Sequence, residues 1–290
     1  MLKKRNTLRP AQHSSSSKKH AQAHEAVTGN EAWYGDKPPD LGQGFTAADA
    51  AERHTTVTEI LLRAAKKADK HGNTASAEAY YQLLDKLEDC RLRHRCGSLA
   101  CPGCARAYQK AKVAAHEDTI TSLKKGPNKQ LVFVTLIPKK LMYQPGQFSK
   151  IDVKKASRWL KDVLKEIGKR TILGSADLSW ETRRGQGYIQ LHWHLVMWTE
   201  SPKKLKKKLA SIFSRTKKHE RPVKVRVADD LGVLPYLNKA IKLAELLRNK
   251  RTHLPELLLM LDRTDPIDLM VHTKMRLIAQ SSQLAFKPIG

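Results

Sequence analysis

The chain has 290 residues, enough for one large domain or two smaller ones with a real hydrophobic core. Lys and Arg total 54 against 28 Asp and Glu, a formal net charge of +26 that points to polyanionic partners, nucleic acid foremost. A membrane-spanning helix is not expected, because no apolar run approaches the ~20 residues needed to span a bilayer. The basic N-terminus lacks the apolar core of a secretory signal, so a cytoplasmic location is expected. There, four cysteines favour metal or redox chemistry over disulfides.

Residues 1–45 carry Ser14 to Ser17 among scattered Lys, Gly, Pro and His, and read as a disordered basic leader. Residues 46–125 read as a helical segment. Val57, Ile60, Leu61 and Ala64 recur at helical spacing until His71-Gly72-Asn73 breaks the run. A second helix over 74–87 puts Tyr80, Leu83, Leu84 and Leu87 on one face, a cysteine-rich stretch fills 90–104, and a basic helix follows near 105–125.

Residues 126–250 read as a second unit. The β-branched and aromatic run Leu131 to Ile137 predicts a central strand ended by Pro138. A helix over 151–168 carries Trp159, Leu160, Val163 and Leu164. Strands over 171–182 and 187–198 flank a turn at Arg183-Arg184-Gly185-Gln186. A Lys-rich helix over 202–214, a strand from Val223 to Val227 and a helix containing LPYLNKAIKLAELL complete it. Residues 251–290, broken at Pro255 and Pro266, are expected to form a peripheral helical extension. The order β-α-β-β-α-β-α implies an α+β fold, an antiparallel-rich sheet covered by helices.

The sharpest chemical signal is the strand Tyr188 to Trp198. Side chains alternate along a strand, so His192 and His194 share one face while Trp193, Leu195 and Met197 take the other. Two imidazoles so placed can chelate one metal ion; the alternative is a pair of half-exposed histidines on a sheet. Glu181, at the end of the preceding strand, is the expected third ligand, with Glu200 a weaker competitor. Two imidazoles and one carboxylate suit Mg²⁺ or Mn²⁺ at a phosphate. On the later helix, Pro235 suits the first turn, and Tyr236 and Lys239 share a face three residues apart. A phenol with a pKa near about 10 needs a cation to act as a nucleophile at neutral pH. Lys239 supplies one and Lys242 a phosphate clamp, unless the tyrosine merely packs.

In that order, LVFVTLIP, LHWHLV and YLNK resemble the three motifs of the rolling-circle replication initiators of the HUH endonuclease superfamily. The resemblance covers roughly residues 90–245, including the cysteine-rich lead-in. It implies an HUH-type, RRM-like sheet with His192 and His194 as metal ligands, Tyr236 as nucleophile and Lys239 as its partner. Glu181 corresponds more loosely to the acidic residue before the histidine strand. The implied activity is nicking of single-stranded or extruded origin DNA, leaving a 5′-phosphotyrosyl link and a 3′-hydroxyl primer. The implied partners are a host helicase and the replication machinery. Gln190 stands where many plasmid relatives have a further histidine, and there is one catalytic tyrosine rather than two. Transposases and relaxases share this site, and a non-catalytic zinc-containing DNA- or RNA-binding regulator is the reading from another class.

Cys90, Cys96, Cys101 and Cys104 place four thiols within 15 residues, with Arg91, Arg93 and Arg95 between them. The set suits structural Zn²⁺. His94 in place of one thiol, an iron–sulfur cluster and unligated cysteines are the alternatives. Lys203, Lys204, Lys206, Lys207, Lys208, Lys217 and Lys218 form a run suited to tracking phosphates, with Arg183 and Arg184 as further DNA contacts, or else a solvated face. Tyr188 and Trp198 are candidates for base stacking, with core packing as the alternative.

Overall fold

A computed structural model describes residues 47–91, 94–122, 129–168, 171–183, 185–213, 222–228, 233–238, 252–280 and 283–288. The leader expected over 1–45 lies outside these residues.

Two helices open the fold, α1 (Ala47–Lys70) and α2 (Thr74–Glu88), and they pack against each other as a hairpin. Gly72 takes a positive φ of 71° in the turn, and Asn73 caps α2 by accepting from the Ser76 backbone N–H at 3.2 Å. The cysteine segment leads into α3 (Pro102–Ser122), expected as a basic helix but buried along most of its length. Tyr108, Lys110, Lys112 and His116 are all inside. Its Ala-rich sequence lets other elements approach closely on several sides, which an exposed basic helix would not need.

The central sheet has six strands, with β1 (Gln130–Leu136), β3 (Ile172–Arg183), β4 (Gln186–Thr199), β5 (Val223–Val227) and β6 (Met270–Thr273) in the spatial order β5-β1-β4-β3-β6. The short β2 (Met142–Tyr143) also pairs with β4, and every pairing is antiparallel. The fold is therefore α+β with an antiparallel sheet and covering helices. On one face Trp193 is fully buried and meets Trp159 of α4 (Val153–Lys165) at 5.9 Å, and Phe213 packs edge-on against Trp159. Phe213 ends α5 (Pro202–Ile212), which starts with Pro202 in its first turn and Ser201 as its cap. The opposite face carries His192 and His194 and is covered by α3, whose Lys112 reaches Ser175 of β3. A short helix α6 (Val233–Leu237) packs against both α3 and β4.

Residues 251–290 depart from the helical expectation. Among the described residues of this stretch only α7 (Leu254–Arg263) is an α-helix; β6 then joins the central sheet beside β3, and β7 (Met275–Gln280) pairs with β8 (Gln283–Pro288) as a separate hairpin against α3. The apolar run Leu257 to Leu261 that dominates this stretch does form a helix. The strands beyond it are short and get their stability from pairing, which local composition does not display. α7 is tied to the N-terminal hairpin by Lys86, whose Nζ lies 2.7 Å from Asp262 Oδ1. One continuous cluster of buried apolar residues runs from Val57 to Phe286, so the segments share a core. No described helix is long and apolar enough to cross a membrane.

Candidate functional site

The β3–β4 hairpin sets the site. Arg183 pairs with Gln186 at the end of the hairpin, and Gly185 adopts a φ of 78°, which side chains with a Cβ rarely take. The Trp180 ring lies over Gly187 so closely that a Cβ there would sit 1.8 Å from it. From this end the register runs step by step, setting Glu181 opposite Tyr188, Asp177 opposite His192 and Ser175 opposite His194.

Asp177, His192 and His194 consequently converge. The two Nε2 atoms are 3.2 Å apart, and Asp177 Oδ2 lies 3.4 Å from that of His192 and 3.6 Å from that of His194. One ligand atom from each residue falls within 4.8 Å of the others. The rings are held by their far sides: His192 Nδ1–H donates to the Gln190 carbonyl at 3.3 Å, and Thr135 Oγ1 lies 3.2 Å from Nδ1 of His194. Phe133 stacks on His194 at 5.4 Å. The Leu178 backbone N–H occupies Asp177 Oδ1 at 2.8 Å, turning Oδ2 into the site. This is the orientation a metal-binding carboxylate–imidazole set requires, with outer contacts fixing each ring. All three residues are buried, His194 to 1% exposure and His192 to 7%. Burial alone would raise the Asp177 carboxyl, but hydrogen bonds and charge from both histidines outweigh it and hold the group below the ordinary range. Two nitrogen donors and one oxygen donor can hold a divalent cation.

Glu181, the expected third ligand, is not in this group. It is exposed near the hairpin tip and accepts from Ser179 Oγ at 3.0 Å. Four residues beyond Asp177, it lies about 13 Å further along the strand. Asp177 takes the place expected of it. The signal was present in the turn: counting back from Arg183 and forward from Gln186 puts Asp177 against His192. Glu200 is exposed beyond the end of β4. Gln190, in the position of the additional histidine, is a clamp. Its Nε2 donates to the carbonyls of Pro138, Leu141 and Leu191 at 3.1, 3.1 and 2.9 Å, fixing the loop after β1.

Two further polar groups lie under α3. Lys112 is 4% exposed with its Nζ 3.5 Å from Ser175 Oγ; burial pushes it down to about 8 against the opposing pull of Asp177. One helical turn on, His116 is fully buried, stacks on Phe286 at 5.2 Å and is pushed down to about 3 by burial. Asn238 of the chain after α6 approaches it without closing a hydrogen bond. Tyr236 belongs to α6, but its side chain lies outside the described residues, as do Lys239, Lys242, Lys217, Lys218, Arg184 and the side chain of Arg183. Lys203, Lys204, Lys206, Lys207 and Lys208 are exposed on α5, which is anchored on the Trp193 side of the sheet, the layer opposite the imidazole pair. Tyr188 and Trp198 are half-buried in the sheet.

The four cysteines form the other candidate site. Their sulfurs stand 3.6 Å apart for Cys90–Cys104, 3.7 Å for Cys96–Cys104 and 3.6 Å for Cys90–Cys101, with no disulfide among them. A thiolate tetrahedron around Zn²⁺, with bonds of about 2.3 Å, has edges of about 3.8 Å. The set can hold a structural metal such as zinc. Hydrogen bonds from Cys104, Cys90, Cys96 and His54 pull the Cys101 thiol far below its ordinary range. His94 is exposed and does not belong to the group.

No protein-family model, curated protein or solved structure matches this chain.

The placement separates two carboxylates that sequence alone confused. Asp177→Asn is expected to weaken Mn²⁺ binding by about tenfold or more in isothermal titration calorimetry, and Glu181→Gln by less than about twofold. The opposite ranking would return Glu181 to the site.

Proposed function

We propose that this protein is a metal-dependent single-strand DNA nickase of the rolling-circle initiator type, related to the HUH endonucleases. The observation that carries the reading is the convergence of His192 Nε2, His194 Nε2 and Asp177 Oδ2 on one buried point, each residue oriented by an outer contact. The +26 net charge supports a nucleic-acid substrate. The packing of α6 against β4 supports a nucleophile delivered from that helix to the imidazole face.

In this reading His192, His194 and Asp177 hold Mg²⁺ or Mn²⁺. A divalent ion held there would supply Lewis-acid polarisation of the scissile phosphodiester and would offset charge on its oxygens. Tyr236 loses its phenolic proton and attacks phosphorus as the bond to the 3′ oxygen breaks. The departing oxygen takes up a proton, leaving a 5′-phosphotyrosyl link and a 3′-hydroxyl primer. Lys239, three residues from Tyr236, supplies the cation that favours the phenolate. The exposed lysines of α5 hold flanking DNA by its phosphates, away from the cutting point. Cys90, Cys96, Cys101 and Cys104 bind Zn²⁺ structurally, joining α1 to α3 through the His54–Cys101 contact. Origin DNA, a host helicase and the replication machinery are the partners this role calls for.

One observation favours a second reading. Structural metal sites are closed, and all three ligands of this site are buried. A non-catalytic, metal-stabilised DNA- or RNA-binding regulator would share that feature.

A nicking assay decides between them. With Mn²⁺, the full chain is expected to relax supercoiled plasmid carrying its cognate origin and to become covalently attached to DNA. Tyr236→Phe should abolish both while retaining DNA binding; undiminished nicking by that variant would remove the tyrosine mechanism. Elemental analysis should find one zinc per chain, lost with cooperative folding in Cys101→Ser. A zinc-free, fully folded protein would contradict the structural role.

A further inference from the structure

β5 (Val223–Val227) is an edge strand of the central sheet, and its residues alternate between two chemistries. Val223, Val225 and Val227 take one face, Lys224 and Arg226 the other. The pairing register identifies each face. Val223 pairs with Leu136, whose partner on β4 is Trp193, so the valines turn to the apolar side where α5 packs. Lys224 pairs with Thr135, and Thr135 with His194; Arg226 pairs with Phe133. Cross-strand partners project to the same face. The side chains agree: Thr135 Oγ1 lies 3.2 Å from His194 Nδ1, and Phe133 stacks on the same ring at 5.4 Å. Lys224 and Arg226 therefore stand on the imidazole side of the sheet. Lys224 is two strands, or about 10 Å, from His194.

Both cations are exposed, and neither side chain meets a carboxylate among the described residues. Two residues apart on one face, they are spaced by about 6.7 Å along the strand. Neighbouring phosphates of an extended single strand have a similar spacing. The exposed lysines of α5 lie on the Trp193 side, so a strand held by them alone would run behind the sheet, away from the imidazoles. In a chain of net charge +26 many cations could attract DNA, but these two are placed by register at the open edge of the imidazole face. We propose that Lys224 and Arg226 are phosphate contacts for single-stranded DNA, holding the strand along the β5 edge on the side of the sheet that carries His192 and His194. The contacts form at the exposed edge and require nothing to enter among the buried ligands. They grip backbone and not bases, so the edge aligns a strand without reading its sequence. This proposal rests on the single-strand DNA reading of the preceding section and not on a bound ion.

The test is fluorescence anisotropy of a labelled single-stranded DNA oligonucleotide binding to the full chain over a range of salt concentrations, with no divalent metal added. Lys224→Gln with Arg226→Gln is expected to weaken binding by about tenfold and to lower the salt slope by about 1.4, or about 0.7 for each lost phosphate contact. Lys66→Gln with Lys67→Gln removes the same charge from exposed positions of α1 and should change the slope by less than about half as much. Exchanging the pair, Lys224→Arg with Arg226→Lys, keeps both charges and should keep the affinity. Should thermal unfolding show the glutamine pair to be misfolded, Lys224→Gln alone takes its place, with a slope change of about 0.7. Affinity and slope unchanged in the glutamine pair, or changed equally by the α1 pair, overturn the proposal while leaving the DNA reading intact. A chain that binds no oligonucleotide overturns the DNA reading and this proposal together.

Discussion

A carboxylate is held inside the protein between two imidazoles, and most of the surrounding structure follows from keeping it there. Asp177 loses its hydration on burial and must recover that energy from neighbours. It does so through the Leu178 N–H, the two Nε2 atoms and the Lys112 charge. The next residue of β3 supplies the N–H, the hairpin register delivers the two imidazoles, and α3 delivers the last. A one-residue slip of β3 against β4 would send Asp177 to the Trp193 face, among Trp159 and Phe213. Gly185 at the turn, and Gly187 under the Trp180 ring, are the local features that keep the register.

The two faces of β4 divide the work. Trp193, Leu195 and Met197 anchor the strand in an apolar layer with α4, while His192 and His194 turn toward α3 and α6. Rigidity on the first face is what allows a fixed 3.2 Å approach between nitrogens on the second. The polar face is paid for with outer contacts: Thr135 from β1, the Gln190 carbonyl from β4 itself, and the Phe133 ring. Gln190 contributes twice, its carbonyl orienting His192 and its amide pinning the loop after β1. The cysteine group, which could hold a metal, gathers at the start of α3, the helix that carries Lys112 and His116.

Much of this was legible in the residues. The β-branched run before Pro138, the alternation around His192 and the turn at Arg183 to Gln186 each reported a local preference that the tertiary structure retains. Asp177 lies mid-strand among small residues and becomes legible as a partner of His192 only by counting register from the turn, whereas Glu181 at the strand end is the more conspicuous carboxylate. Lys112 gives no signal at all: in a chain of net charge +26 it looks like one more surface cation, and only the elements packed around α3 bury it. The strands after α7 were hidden for a related reason. Met270 to Thr273 is four residues long and becomes a strand by pairing with β3, a long-range event that local pattern does not encode.

The central claim is that Asp177, His192 and His194 bind one divalent ion through two imidazole nitrogens and a carboxylate oxygen. Pulsed electron paramagnetic resonance of Mn²⁺-loaded protein, with histidine labelled by ¹⁵N, reads the directly bound nitrogens. Coupling to two histidine nitrogens, reduced to one in His192→Ala, is the outcome this account predicts. A bound ion with no histidine coupling, or with coupling unchanged in His192→Ala, would contradict it.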